Sequence, residues 1–241
     1  MVTQDDFPTA SAVDEIVSLT RVASVEAAAD ALYAHADLVS AILVALAKRI
    51  PHDQQSKLVD FTVRLGNTTV PDPTGEGVLF LRDGVDMIPF WSGMPRFSIN
   101  LAEEWLKGPG IDPEETLKNL DWGNLVAFYA QLSEAKFWRL FEQTGWNHGH
   151  LTQLFEEDVI RQDVVVACMW LIHAPKKIWT DIQRRRKHLK EIFELDLWSR
   201  WKKYLQDYQQ KLVDDGSDEE LQSLISGSLD SMNTTEAELG K

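Results

Sequence analysis

Apolar residues recur every three or four positions along most of the chain, which is the spacing of one face of an α-helix. The first strong helix is predicted over residues 24–48, with Ser24 as its N-cap and Pro51 beyond its end. A second helix is predicted to begin at Asp53 and to end at Gly66. The chain therefore opens as a helical structure.

Residues 66–98 break this pattern. Prolines and glycines punctuate the segment too often for a long helix: Pro71, Pro73, Gly75, Gly77, Gly84, Pro89, Gly93 and Pro95. Its aromatic and aliphatic residues are nevertheless too many for a disordered linker. We expect an irregular segment that packs down as a lid or over a pocket, in which residues 78–81 form either a short strand or a buried turn.

The remainder of the chain is predicted to be helical. Helices are expected over 98–107, 112–120 and roughly 122–144, with others beginning near Leu151 and near Arg161. The last helix carries a regular stripe of Trp198, Trp201, Leu205, Tyr208 and Leu212. After Gly216 the polar composition predicts disorder, except around residues 221–225. The fold class is all-α: one irregular helical bundle over residues 1–213 and a mostly disordered acidic tail over 214–241.

Charge is distributed unevenly along the chain. The formal net charge is -14, and residues 214–241 contribute half of it. Such an acidic protein disfavours nucleic acid and anionic membrane surfaces as partners. A basic run at residues 175–190 could be a nucleic-acid patch, or it could be a solvated helix face that meets the acidic tail or a partner. The global charge favours the solvated face.

Cysteine content and hydropathy indicate the compartment. Cys168 is the only cysteine, and it lies in an apolar run typical of a buried, unreactive thiol. The N-terminus lacks the features of a signal peptide, and no apolar stretch approaches the ~20 residues of a membrane span. We therefore expect a cytoplasmic protein with no membrane partner. The sequence does not predict the oligomeric state.

Sequence motifs for cofactors and metals are absent. There is no phosphate-binding glycine loop, no second acidic cluster to pair with residues 156–158, and no Gly-x-Ser-x-Gly elbow. His148 and His150, with Glu156 or Glu157 nearby, could share a metal ion, but a polar turn explains them better because no third ligand is fixed by spacing. We expect neither cofactor nor metal.

The nine tryptophans are the most informative feature of the composition. Indoles commonly fill a core, but they also line cavities for apolar ligands, and each N–H needs a partner. If there is a cavity, the candidate substrate-binding residues are Trp91, Arg96, Trp105, Trp122, Phe128 and Trp170. The candidate catalytic residues are Asn124 and His173, which would polarise a carbonyl, and Glu157 as a weaker base.

Several segments together resemble a known family. They are a Trp-and-Pro loop around Trp91, the W-x-N-x-x-A-F helix at residues 122–128, a leucine helix ending in acids at 154–157, and an apolar helix with a central Trp at 167–172. Over roughly residues 25–185 the chain resembles a family of fungal helical proteins of unknown function. The resemblance implies a fungal source and an all-α fold. Genes of this kind can accompany specialised-metabolite pathways, in which small cofactor-free proteins serve as cyclases and isomerases.

Two functions remain open at this point. The first is a cofactor-independent pocket enzyme, a Diels–Alder cyclase or an isomerase, acting on an apolar terpenoid or polyketide intermediate by preorganisation and hydrogen bonding. The alternative is a non-enzymatic helical protein–protein interaction module that uses the basic run and the acidic tail as binding surfaces.

Overall fold

A computed structural model gives the fold of the chain, and it divides into two compact units, Met1–Phe128 and Tyr129–Lys241. It describes residues 14–16, 18, 29–72, 77–83, 86–94, 96–107, 116–135, 137, 151, 154, 159–189 and 197–240. Among these, the side chains at 29–31, 82, 83, 86, 105–107, 116–120 and 184–189 are left undescribed.

The first unit is built mainly from helices that bury one face each. Its elements are α1 (Ala29–Arg49), a 3₁₀ turn (His52–Gln54), α2 (Ser56–Gly66), β1 (Phe80–Asp83), β2 (Asp86–Pro89), α3 (Phe97–Lys107) and the first part of α4 (Thr116–Glu134). In α1 the buried residues Leu32, Ala36, Leu43 and Ala47 recur every three to seven positions and form an apolar stripe. Helices α1 and α3 pack against each other.

The Pro- and Gly-rich segment contains a small antiparallel hairpin. Strands β1 and β2 pair Phe80 with Pro89 and Leu81 with Ile88. Of the two alternatives for residues 78–81, the strand is therefore confirmed. The expectation that this segment is apolar and packed is also confirmed, because Leu81 and Phe90 are buried.

The second unit contains the end of α4, then α5 (Arg161–His173), α6 (Pro175–Leu189), α7 (Leu197–Asp214) and α8 (Glu219–Leu239). Helix α5 is buried on almost every side, from Gln162 to Leu171, as expected of a helix that is apolar all round. Helix α8 packs against α5, α6 and α7.

Two sequence predictions about helix bounds were wrong. The helices predicted over 112–120 and 122–144 correspond to one helix, α4, which has ended by Ala135. The prediction put a break near residue 121, but the helix is continuous there, from Thr116 to Glu134. The all-α fold class itself is confirmed by the described residues.

The prediction of a mostly disordered tail over 214–241 was also wrong. Asp218 caps α8 by accepting a hydrogen bond from the backbone N–H of Leu221 at 3.1 Å. The buried face of α8 has spacings of four, three, four and three residues: Leu221, Ile225, Ser228, Met232 and Thr235. Two of these five are small polar residues, so the segment's composition hid a regular helical face.

Acidic residues of α8 pair with basic residues of the same unit. Lys176 lies 2.7 Å from Glu238. Lys202 lies 2.7 Å from Glu236, and Arg161 contacts both Asp218 and Glu220. The interpretation that the basic run meets the acidic tail is thus confirmed at Lys176, whereas the basic side chains at 184–187 and Lys190 lie outside the described residues.

Candidate functional site

The residues predicted to form a site are divided between the two units. Trp91, Arg96, Trp122, Asn124 and Phe128 belong to the first unit, and Trp170 and His173 belong to the second. Glu157 and the side chain of Trp105 lie outside the described residues. We therefore consider each unit by itself.

Asn124, the predicted polarising amide, binds backbone groups at both ends. Its Oδ1 accepts a hydrogen bond from the N–H of His52 at 3.0 Å, and its Nδ2 donates to the carbonyl oxygen of Lys48 at 3.0 Å. These two bonds fix the end of α1 and the 3₁₀ turn against α4. The contacts indicate an architectural role for Asn124 instead of the catalytic role predicted from sequence, which did not show the amide's partners.

Gln55 completes this network. Its fully buried Nε2 lies within hydrogen-bonding distance of the carbonyl oxygens of Ala47, Ile50 and Asn124, at 2.8, 3.0 and 2.9 Å. A buried amide is tolerated when its polar atoms have partners. We call Gln55 and Asn124 the amide joint.

Trp91 occupies a conformationally unusual loop. Trp91, Met94 and Arg96 all have positive φ, at 59°, 46° and 68°. Backbone conformations of this kind cost free energy in non-glycine residues and persist only where packing holds them. The Trp91 side chain is 0% exposed, and its ring meets Phe90 and His35 edge to face, with centroids 4.9 and 5.7 Å apart.

Arg96 is held by helix α1. Its Nε donates to Asp37 Oδ1 at 3.0 Å, and its guanidinium lies 5.1 Å from the centre of the Tyr33 ring. The hydrogen bond to Asp37 raises the pKa of Arg96 above its usual value. Tyr33 and Asp37 are one helical turn apart, whereas His35 lies roughly 160° around the axis from Asp37. The loop therefore contacts α1 on two sides, and the side chains of Trp91 and Arg96 do not line a common site.

The other aromatic candidates of the first unit are core residues. Trp122 and Phe128 are buried, and the Phe128 ring packs edge to face with Phe97 at a centroid distance of 6.5 Å. Core packing was one of the two interpretations offered by the sequence, and these contacts agree with it.

In the second unit, Trp170 is buried and His173 is half-buried at the end of α5. The prediction that Cys168 is a buried thiol is confirmed. Burial raises the pKa of the Cys168 thiol to about 12, although a hydrogen bond with Ser228 opposes part of this rise. A thiol of this kind is not a nucleophile at neutral pH.

Three buried hydrogen-bond donors have no acceptor in the part of the second unit that the structure describes. They are Nε2 of Gln162, Nε1 of Trp198 and Nε1 of Trp201, in side chains that are 7%, 4% and 1% exposed. Each unpaired buried donor costs about 1–3 kcal/mol, so such groups are rare and call for an explanation. We call these three residues the donor site.

The donor site lies on neighbouring helices. Trp198 and Trp201 are three residues apart and therefore share a face of α7. Burial is the main cause of the raised pKa of both Tyr204 and Tyr208; nearby charges, Asp163 for Tyr204 and Asp218 for Tyr208, raise it further, and Arg161 opposes the rise at Tyr208. These tyrosines of α7 therefore lie within electrostatic range of the first turn of α5, which carries Gln162.

Aromatic packing connects the donor site to helix α6. The Trp198 ring meets that of Trp179 on α6 edge to face, with centroids 5.1 Å apart. Helix α6 follows directly after α5 in the chain, so the three helices α5, α6 and α7 supply the donor site and the ring packed against it. The spacing of Trp198 and Trp201 is visible in the sequence, and every buried indole N–H needs a hydrogen-bond acceptor. The absence of an acceptor for these two N–H groups among the described residues is visible only in the structure.

Metal binding and membrane insertion find no support in the described part of the chain. No three His, Cys, Asp or Glu residues within it are grouped as a metal site, and His148 and His150 lie outside it. The described helices include none that is both long and apolar enough to cross a membrane.

A protein family matches most of the chain. No curated protein and no solved structure matches the chain. A family described as "Protein of unknown function (DUF3632)" matches residues 41–205, which is more than half of the chain and covers the amide joint, the loop at Trp91, the donor site and most of the helices. The chain belongs to this family.

Proposed function

We propose that this protein is a cofactor-independent pocket enzyme of fungal specialised metabolism, a Diels–Alder cyclase or an isomerase acting on an apolar terpenoid or polyketide intermediate. The observation that carries the proposal is the donor site: three donors that are buried without an acceptor among the described residues, one of them, Trp198, packed against the ring of Trp179. A bound molecule that carries an oxygen atom would supply the missing acceptor and recover the cost of desolvating the donors.

The chemistry proposed needs few groups. A cyclase or isomerase of this kind holds the substrate in a reactive conformer and stabilises negative charge that develops on an oxygen atom. Indole and carboxamide N–H groups are suitable donors, and one well-placed donor in a dry site is worth ~3 kcal/mol in the transition state. We assign this role to Trp198, Trp201 and Gln162, in place of Asn124.

His173 keeps a place in the proposal as a candidate acid or base. It lies on the same face of α5 as Gln162, because the two are eleven residues, or about three turns, apart. This separation is about 16 Å along the axis, so the two side chains cannot act on one substrate atom. His173 would act on a different part of the substrate, at the opposite end of α5 from Gln162.

The test uses the fact that cyclisation and isomerisation leave the molecular formula unchanged. The purified, dialysed protein is incubated with an extract of the organism that encodes it, and the products are followed by chromatography and mass spectrometry. We expect one compound to be replaced by another of identical mass and different retention time. The conversion should be lost in the double variant Trp198→Phe, Trp201→Phe and kept in the matched variant Trp122→Phe.

Two results would contradict the proposal. If no equal-mass conversion occurs but a compound co-purifies with the wild-type protein, the protein is a binder and the enzymatic part is wrong. If the double variant converts the compound as fast as wild type while its circular dichroism spectrum is unchanged, the donor site is not where the reaction occurs.

The interaction module remains the alternative, in a changed form. The acidic tail loses its role as a free binding surface, because four of its acids pair with basic residues of the second unit. What favours the alternative is an exposed apolar pair on α1, Leu38 and Ile42, which are 59% and 47% exposed and one turn apart. Loss of partner binding in Leu38→Ser, Ile42→Ser, with no equal-mass conversion by wild type, would favour this function.

A further inference from the structure

The donor site also constrains the kind of molecule that it accepts. We infer that its ligand presents an uncharged oxygen acceptor, such as the carbonyl of a ketone, quinone or lactone, on a flat apolar body. This inference rests on the proposed function and specifies its substrate class.

The hydrogen-bonding capacity of the donor site restricts the polar group that a ligand can carry. The three unpaired atoms are all donors, and an indole N–H has no acceptor capacity. A ligand hydroxyl or amine could accept one hydrogen bond here, but its own hydrogen would need an acceptor that these three atoms do not offer. A carbonyl oxygen has two lone pairs and no hydrogen, so it satisfies two of the donors without leaving a new group unpaired.

The charged residues next to the donor site restrict the charge of the ligand. A carboxylate buried at the site would need a cation, because an unpaired buried charge is far more costly than an unpaired dipole. Arg161, next to Gln162, already binds Asp218 and Glu220. Lys202, next to Trp201, already binds Glu236 at 2.7 Å. With these two cations already paired to acids, their charge is not available to a buried carboxylate, which favours a neutral acceptor over an anion.

The aromatic rings of the donor site restrict the shape of the ligand. Residues three apart on a helix have side chains about 5–6 Å apart, so Trp198 and Trp201 offer two indole edges to one side of a ligand. Trp179 adds a third ring against Trp198. Aromatic faces and edges at these spacings favour a flat, apolar molecule over a flexible polar one.

The experiment uses three compounds with the same naphthalene body. They are 2-acetylnaphthalene, which carries a neutral carbonyl, 2-ethylnaphthalene, which carries no acceptor, and 2-naphthoate, which carries a carboxylate. Dissociation constants for the full-length wild-type protein are measured by titration calorimetry. We expect the ketone to bind about tenfold more tightly than either of the other two, as one added hydrogen bond predicts.

Variants identify the atoms responsible. Trp201→Phe keeps an aromatic ring and removes the N–H, so it should weaken binding of the ketone about tenfold and change binding of the hydrocarbon little. Trp198→Phe should act in the same direction, and Trp122→Phe, in the first unit, should have no effect. The comparison of three compounds on wild type needs no variant, so it stands even where a variant does not fold.

Three outcomes would overturn the inference, and they differ in what else they affect. Tightest binding by 2-naphthoate would show that the site takes an anion, and would leave the proposed enzymatic function in place. Equal binding of the ketone and the hydrocarbon would show that the donors do not contact the ligand. No binding of any compound at millimolar concentration, together with buried waters on the three N–H groups, would contradict both the ligand class and the donor site.

Discussion

The amide joint of the first unit and the donor site of the second differ in whether their buried polar groups have partners. In the first unit the amide joint is satisfied: Gln55 lies within reach of three carbonyl oxygens, and Asn124 binds a backbone N–H and a carbonyl oxygen. In the second unit Gln162, Trp198 and Trp201 are at least as deeply buried as Asn124, and their N–H groups have no acceptor. A satisfied buried amide holds the backbone in place, whereas an unsatisfied buried donor lowers the stability of the ligand-free fold.

The last helix, α8, is part of the packed core of the second unit. Helix α8 packs against α5 and α7, the two helices that carry the donor site, and it buries Leu221, Ile225 and Met232. The packing of the two helices that carry the donor site thus involves a segment whose composition resembles a disordered tail.

Removal of α8 is expected to have the largest effect. A chain that ends at Asp214 loses three buried apolar side chains, each contributing about 1.5–3 kcal/mol, and this loss is comparable to the stability of a small domain. We expect the second unit to lose its cooperative unfolding transition, measured by tryptophan fluorescence in urea. A chain that ends at Leu239 is the control and should unfold like wild type. A truncated chain that kept its transition would show that α8 is dispensable.

The amide joint should be the next most sensitive position. Gln55→Met replaces the amide by an apolar chain of similar size and leaves the carbonyl oxygens of Ala47, Ile50 and Asn124 without this donor. The free energy of unfolding should fall by about 2–4 kcal/mol, as measured by urea denaturation. Gln55→Glu, which has the same shape without the N–H₂ group, should be similarly destabilised at neutral pH. A loss below 0.5 kcal/mol would mean that the joint does not hold α1 and α4 together.

The same substitution at the donor site should have the opposite sign. Gln162→Met removes an unpaired N–H₂ group and keeps the volume, so the free energy of unfolding of the ligand-free protein should rise by about 1 kcal/mol. The measurement is the same urea titration, and Gln55→Met is its matched counterpart. If Gln162→Met is as destabilising as Gln55→Met, then Gln162 has a partner in solution and the contrast between the units disappears.

The smallest effect expected is a pH dependence at the start of α8. The hydrogen bond from Arg161 holds the pKa of Asp218 below its usual value. A lowered folded-state pKa means that Asp218 stabilises the fold at pH values above the unfolded-state pKa, and that this contribution is lost as the pH falls through the folded-state pKa. Because the ion pair is partly exposed, we expect a change of less than about 1 kcal/mol.

Asp218→Asn provides the control for this pH dependence. Asparagine caps helices and tolerates positive φ, and residue 218 has a φ of 51°. Wild type should therefore lose stability relative to Asp218→Asn in acid-denaturation curves below pH 4. Parallel curves for the two proteins would show that the Arg161–Asp218 pair does not stabilise α8.

Sequence analysis predicted most of the fold but only part of the candidate site. It correctly placed a helix start near Arg161, the stripe on α7, a packed apolar segment over 66–98 and the buried thiol of Cys168. It missed α8 because Ser228 and Thr235 lower the apolar content of the buried face without breaking its spacing. It selected Asn124 and Arg96 as polar groups available to a ligand, and both have structural partners.

The sequence by itself determined where the helices lie, because the spacing of apolar residues and the positions of Pro and Gly act through local geometry. Tertiary structure alone decided which buried polar groups have partners, because key partners are distant in the chain: 69 residues separate Gln55 from Asn124, and 72 separate His52 from Asn124. Hydrogen bonding of a buried side chain is a property of the folded surroundings. The same carboxamide group is therefore hydrogen-bonded at Gln55 and without an acceptor among the described residues at Gln162.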